Sequence, residues 1–207
     1  MLNPSSFQDF PIRAGFCDAK ESAQQTPPFL MKQVHSADVL VVTQNLDSPP
    51  TCDALATKEK NVQLTIKTAD CAPVLFIDPI ARVVGAAHAG WKGAFQGILE
   101  NTLITMIKLG ADISQIYTAI GPHLTQQSFQ VSQDMQSLFP LTEQHFFHNT
   151  DQGVYFDFTG YLVHRLTRAG VKHIETLALD TYTNPDYNSH RRDPESHSRQ
   201  YSFIELL

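Results

Sequence analysis

Apolar positions fall along the chain in two kinds of pattern, one with the period of strands and one with that of helices. Val39-Leu40-Val41-Val42 is apolar and β-branched and predicts a strand. It closes a strand-like region, 29–42, that Lys32-Gln33 and His35-Ser36 interrupt. Asp47-Ser48-Pro49-Pro50 predicts a turn. Val62, Leu64 and Ile66 alternate with Gln63, Thr65 and Lys67, the period of a half-exposed strand. Val74-Leu75-Phe76-Ile77, stopped by Asp78-Pro79, and Val83-Val84-Gly85-Ala86-Ala87 are continuous apolar runs and read as buried strands. One helix is predicted next, with Phe95, Ile98, Leu99, Leu103, Met106 and Ile107 three or four residues apart and Gly110 as its stop. Residues 116–120 predict a strand. Residues 158–169 predict a second helix, with Tyr161, Leu162, Arg165 and Leu166 on one face and Gly170 beyond its end. Residues 174–179 and 201–204 predict two more strands, separated by a long polar loop over 180–199. Residues 1–28 show little periodicity. There is no repeat and no linker, so the expectation is one α+β domain, 1–207, with a mixed sheet.

Composition narrows this reading. At 207 residues the chain favours one domain. Its charged share, 17%, lies below the usual quarter or so and argues against disorder. A net charge of −6 argues against a nucleic-acid partner, because phosphate neutralisation needs a basic face. No apolar run is long enough to span a membrane. Met1-Leu2-Asn3-Pro4-Ser5-Ser6 lacks the basic and apolar regions of a secretory signal. A cytoplasmic location is therefore expected, with Cys17, Cys52 and Cys71 as reduced thiols.

The candidate chemistry sits at strand edges. His35, Cys71 and His88 each stand where an apolar run ends or begins, and imidazole and thiolate are the usual donors to zinc. Three protein ligands leave a fourth position open, as in catalytic sites. Spacing alone is weak support, since no compact pair of ligands occurs and most histidines serve the surface or core. Gly90 and Gly93 flank Trp91-Lys92 between a strand and a helix start. They can allow close approach of a ligand or only make a tight turn. His123 reads as a surface residue, and so do His145, His148, His164 and His173.

In chain order, Lys32-Gln33-Val34-His35-Ser36, Cys52-Asp53-Ala54-Leu55-Ala56-Thr57, Thr68-Ala69-Asp70-Cys71-Ala72-Pro73-Val74-Leu75 and Gly85-Ala86-Ala87-His88-Ala89-Gly90-Trp91-Lys92-Gly93 are followed by Ala119-Ile120-Gly121-Pro122 and Ser189-His190-Arg191-Arg192-Asp193. Together they resemble the YfiH/laccase-domain (DUF152) family, also called the purine nucleoside phosphorylase-like or polyphenol oxidase family. The resemblance covers about 30–207. It implies a four-layer α/β/β/α arrangement of mixed sheets and one zinc site at His35, Cys71 and His88, with copper as an alternative metal.

The activity it implies is phosphorolysis of adenosine, inosine and methylthioadenosine, together with adenosine deamination. The partners are then a small nucleoside and phosphate, handled by a monomer or homodimer. In such a site Cys71, His88 and Asp70 would be catalytic, with Asp70 or Asp53 moving a proton. Lys92, Arg191 and Arg192 would contact phosphate or substrate. Two other enzymes fit parts of the pattern: a metal-free Cys71–His88 hydrolase or deamidase, and a copper-dependent polyphenol oxidase. The second would need many paired histidines, and the chain has no His-x-His. A metal-bearing binding module without turnover is the non-enzymatic alternative. The chain departs from the family in a shortened, divergent segment over 1–29, in Asp180 where relatives often carry Cys, and in Lys92 where Arg is frequent.

Overall fold

The computed structural model describes residues 1–28, 30–43, 48–177 and 179–207. Within them the chain runs β1 (Ile12–Phe16), α1 (Ala19–Ala23), β2 (Val39–Val41), β3 (Ala54–Thr57), β4 (Leu64–Thr68), β5 (Ala72–Asp78) and β6 (Val83–Ala89). It continues through α2 (Trp91–Gln96), α3 (Ile98–Lys108), β7 (Tyr117–Ile120), β8 (Gln130–Val131), α4 (Gln133–Leu138), β9 (Phe147–Thr150), β10 (Gly153–Phe156), α5 (Phe158–Arg168), β11 (His173–Thr176) and β12 (Gln200–Leu206). A six-stranded mixed sheet has the order β11-β7-β5-β6-β3-β2, and a smaller antiparallel sheet the order β1-β12-β4.

The unbroken apolar runs of β5 and β6 follow from cover on both faces of the large sheet. Successive residues point to opposite sides. Leu75, Ile77, Val84 and Ala86 meet Phe16, Leu64, Ile66 and Ile204 of the small sheet. Val74, Phe76 and Ala87 join a second core with Leu99, Leu103 and Met106 of α3 and Tyr161, Leu162 and Leu166 of α5. Helix α1 packs on β12 and contributes the fourth layer.

Several sequence expectations need correction. The strand expected to be half-exposed, β4, is buried at Thr65 and Thr68 as well as at its apolar positions. Gln63 folds over Thr65 and donates to its hydroxyl at 2.9 Å. The single helix after β6 is two, because Gly97 takes φ +98° between α2 and α3, a left-handed conformation that glycine adopts without the penalty of a side chain. Within 1–28, β1 pairs along its whole length with β12. The strand over 174–179 is observed as His173–Thr176. Its Ala178, Phe29 of the 29–42 region and Asp47 of the expected turn lie outside the described residues.

Candidate metal centre

Four strand ends meet at one edge of the large sheet. Asp53 immediately precedes β3, Cys71 immediately precedes β5, and His88 is the penultimate residue of β6. Antiparallel pairing sets Ala72 opposite Ala89 and Pro73 opposite His88, so Cys71 and His88 meet across neighbouring strands. His35 approaches from the turn that leads into β2. The ligand atoms of His35, Cys71 and His88 lie within 4.8 Å of one another. The Cys71 Sγ to His35 Nε2 separation is 3.7 Å, which matches one edge of a tetrahedron around zinc with bonds of about 2.0–2.3 Å. Burial is graded: His88 is buried, Cys71 partly so and His35 exposed. The site therefore opens on the His35 side.

Asp53 organises this geometry. Its side chain is fully buried and accepts from the backbone N–H groups of Val34 (3.1 Å), His35 (3.0 Å) and Ser36 (2.7 Å), and from the Ser36 hydroxyl (2.9 Å). Three successive amides around one carboxylate form an anion nest. The nest holds His35 at φ +61°, a conformation that costs a non-glycine residue energy unless its surroundings impose it. His88 Nδ1 lies 2.8 Å from Asp53 Oδ1, which leaves Nε2 for the metal position, as in carboxylate–histidine–zinc arrangements.

The charge pattern suits a cation. Burial pushes the Cys71 thiol up, but hydrogen bonds and charge from His35 and His88 outweigh it and bring the pKa down to about 6. Burial pushes His88 down, but Asp53 and the Cys71 sulfur raise it to about 9. Burial also raises the Asp53 carboxyl, and its donors overcome this and hold it well below the ordinary range. The two other thiols, Cys17 and Cys52, are buried and pushed up to about 11. Among the described residues, His35, Cys71 and His88 form the one group of three His, Cys, Asp or Glu side chains close enough to share an ion.

Gly90 and Gly93 are glycines of close approach. A Cβ on Gly90 would stand 2.6 Å from His35 Cδ2 and 3.1 Å from Cys71 Sγ, and one on Gly93 would stand 2.8 Å from the Ser36 carbonyl. Lys92 lies between them, exposed, with its ammonium 5.7 Å from the Trp91 ring centre.

Other predicted residues sit beside the ligands in different ways. Asp70, at φ +81°, accepts from the Thr181 hydroxyl (2.7 Å) and the Arg191 backbone N–H (2.6 Å), and so latches the 180–199 loop to the Cys71 turn. Arg191 donates to the carbonyls of Ser128 and Gln130. Arg192 donates to four carbonyls of its own loop, those of Thr181, Tyr182, Asn184 and Tyr187. His123 is not on the surface. It is fully buried beneath α5, with Nδ1 2.7 Å from the Gly121 carbonyl and Nε2 2.8 Å from the Thr159 hydroxyl. Burial holds its pKa below the ordinary value, which fits a neutral ring that donates at Nδ1 and accepts at Nε2. The resemblance singles out Asp53 for moving a proton, whereas its bonds make it the hub that orients His35 and His88.

Fold and site together define a class: an α+β protein in which a six-stranded mixed sheet packs on a smaller antiparallel one, with a His-Cys-His centre at the strand ends. Residues 13–207 match the family described as "Multi-copper polyphenol oxidoreductase laccase". The chain is 34% identical over 169 residues to a Rickettsia conorii protein named purine nucleoside phosphorylase, covering 79% of this chain and 70% of that one. It is 32% identical over 186 residues to "Purine nucleoside phosphorylase YfiH" of Escherichia coli, covering 87% and 74%. A solved DUF152 protein of Neisseria meningitidis superposes with a TM-score of 0.80 at 30% identity, over 90% of this chain and 79% of that one. A Bacillus licheniformis YfiH structure gives 0.81 at 29% identity, over 91% and 79%. The chain belongs to the YfiH/laccase-domain family. No helix among the described residues is long and apolar enough to cross a membrane.

Proposed function

We propose that this chain is a zinc-dependent purine nucleoside phosphorylase acting on adenosine, inosine and methylthioadenosine, with adenosine deaminase as a second activity of the same centre. The observation that carries this reading is the convergence of His35, Cys71 and His88 within 4.8 Å on a site open to one side. The names carried by its relatives support the phosphorylase assignment.

Zinc held by the three ligands would supply Lewis acidity at an open fourth position. The chain's own residues do the remainder. Asp53 fixes the tautomer of His88 and the backbone of His35, so both rings are oriented before any ligand arrives. Gly90 leaves room for them. In phosphorolysis a phosphate oxygen bonds to C1′ of the ribose, the bond from C1′ to the purine nitrogen breaks, and the purine leaves with a proton. Lys92, two residues beyond Gly90, and Arg191 offer cations to an anion in the pocket, whereas Arg192 serves the loop. Asp70 acts by keeping that loop against the Cys71 turn. The expected location is the cytoplasm.

One observation favours a second reading. A thiol at about 6 beside an imidazole at about 9 is also the charge state of a Cys–His nucleophile pair. Metal content separates the two, because zinc on the sulfur occupies the nucleophile. Purified protein and its Cys71→Ala variant are assayed for bound metal and for turnover of adenosine, inosine and methylthioadenosine, with and without phosphate. The expected result is one zinc per chain, phosphate-dependent release of base, and loss of both in the variant. A variant that keeps its metal and full turnover overturns the assignment.

A further inference from the structure

A cleft of about 370 Å³ opens between α1 and the 188–199 segment, walled by Ser22, Lys67, Asn188, His197, Arg199 and Tyr201. Its charge runs against the rest of the chain. Three basic side chains face it and its lining contains no carboxylate, although the whole chain carries −6.

The strand register explains why those side chains gather. Lys67 of β4 lies opposite Tyr201 of β12, and directly opposed residues of an antiparallel pair project to the same face. Arg199 and His197, in the segment that leads into β12, line the same cleft as Lys67. With Lys67 and Arg199 there, two long cationic side chains are available to one tetrahedral anion. Arg199 Nη1 donates to the carbonyls of Ser196 (3.1 Å) and Ser198 (2.7 Å). Among the described residues, neither its Nη2 nor Lys67 Nζ has a hydrogen-bond or ion-pair partner.

The segments that wall the cleft are tied to those that carry the metal centre. The Gln33 side chain bonds the Lys67 backbone at both ends, 2.8 Å to its carbonyl and 3.0 Å from its N–H. His35 stands two residues beyond Gln33, and Cys71 four residues beyond Lys67. The loop that carries His197 and Arg199 is latched by Asp70, next to Cys71.

We propose that Lys67, Arg199 and His197 form an anion subsite for a phosphate group, beside the metal centre and separate from Lys92 and Arg191. Its use in turnover rests on the phosphorolysis reading, but the binding of phosphate does not. Free phosphate and a phosphate ester share the chemistry, so both are tested. Inorganic phosphate and adenosine 5′-monophosphate are each titrated calorimetrically into wild type, Lys67→Ala, Arg199→Ala and Lys108→Ala at about 0.15 M salt, where diffuse surface attraction is screened. Lys67 makes its structural bonds through the main chain, so its side chain can be removed without breaking them. Lys67→Met, which keeps the apolar stem, serves as a second variant, and each protein's melting curve confirms folding.

Lys67→Ala, Lys67→Met and Arg199→Ala should each weaken binding by roughly tenfold or more, the size of a lost charge-assisted hydrogen bond, while Lys108→Ala, at an exposed lysine in the last turn of α3, leaves it unchanged. Tight binding of the monophosphate alone assigns the subsite to an ester, and binding of both assigns it to free phosphate. Equal affinity in wild type and the Lys67 and Arg199 variants, an equal loss in Lys108→Ala, or no binding of either probe overturns the subsite. Phosphate binding that fails in these variants, alongside base release that never needs phosphate, keeps the subsite and removes the phosphorolysis reading. Phosphorolysis that survives both substitutions does the reverse.

Discussion

Asp53 Oδ1 stands 2.8 Å from His88 Nδ1, and the same side chain binds three consecutive amides of the turn that carries His35. One carboxylate therefore orients two ligands that lie 53 residues apart in the sequence. Asp53→Asn keeps the size but sets an amide NH₂ where donors already point. Zinc affinity should fall about 10–100-fold, and stability by about 3 kcal/mol, as when one partner of a buried pair is removed. Metal titration and denaturant unfolding check both. A variant that binds zinc as wild type does would show that the ligands hold their places without Asp53.

The same carboxylate sets an acid limit. Its folded pKa lies below the unfolded value of about 3.9. Its stabilisation is thus complete above the unfolded value and is lost as pH falls through the folded one. Wild type should lose stability steeply below about pH 4, and Asp53→Asn should lose less over that interval. Melting temperatures from pH 2 to 6 measure the difference; parallel curves would contradict the assignment.

Three thiols separate by environment. Cys71 is brought to about 6 and Cys17 and Cys52 are pushed to about 11. Thiolate is the reactive form. Iodoacetamide at pH 7 should therefore label metal-stripped protein at Cys71 alone, with a rate half-maximal near pH 6, and zinc should protect it. Peptide mass mapping reads the site. Labelling spread over all three cysteines, or no protection by zinc, would be incompatible with a metal-held thiolate.

Gly90 tests whether close approach or turn formation is its task. Its φ of −77° and ψ of 162° are open to alanine, so Gly90→Ala strains no backbone. The added methyl would meet the His35 ring at 2.6 Å. His35 is exposed and can swing away, so the fold should survive while zinc affinity drops roughly tenfold or more. Unchanged affinity would return Gly90 to a turn residue.

Much of the site was legible because ligand atoms at strand ends leave local marks. Cys71 and His88 each adjoin a continuous apolar run, and those runs proved to be the two central strands. His35 was a candidate on the same ground, although it stands in no regular element, and the resemblance joined the three into one site. What remained hidden depends on partners distant in sequence. Strand β1 is short and interrupted by Gly15, and it is fixed only by pairing with β12 at the far end of the chain. The burial of His123 comes from α5 packing above it, through Thr159. The arginine pair could not be divided from sequence, since a guanidinium that binds phosphate and one that binds carbonyls have the same neighbours in the chain.

That division is open to experiment at Arg192. Its guanidinium spans the Thr181, Tyr182 and Asn184 carbonyls from Nη1 and the Tyr187 carbonyl from Nη2. A lysine ammonium is a point donor and cannot reproduce that span. Arg192→Lys keeps the charge, so an anion held by charge alone would be little affected, while the loop would lose its pin. Local opening should become easier by about 2 kcal/mol, or roughly thirtyfold faster hydrogen exchange. The effect should appear at the Asn184 and Tyr187 amides, bonded within this loop, and at the Thr181 amide, bonded to the His123 carbonyl, and leave β5 and β6 protected. Exchange identical to wild type at those amides would free Arg192 from its structural role and restore it as a phosphate ligand.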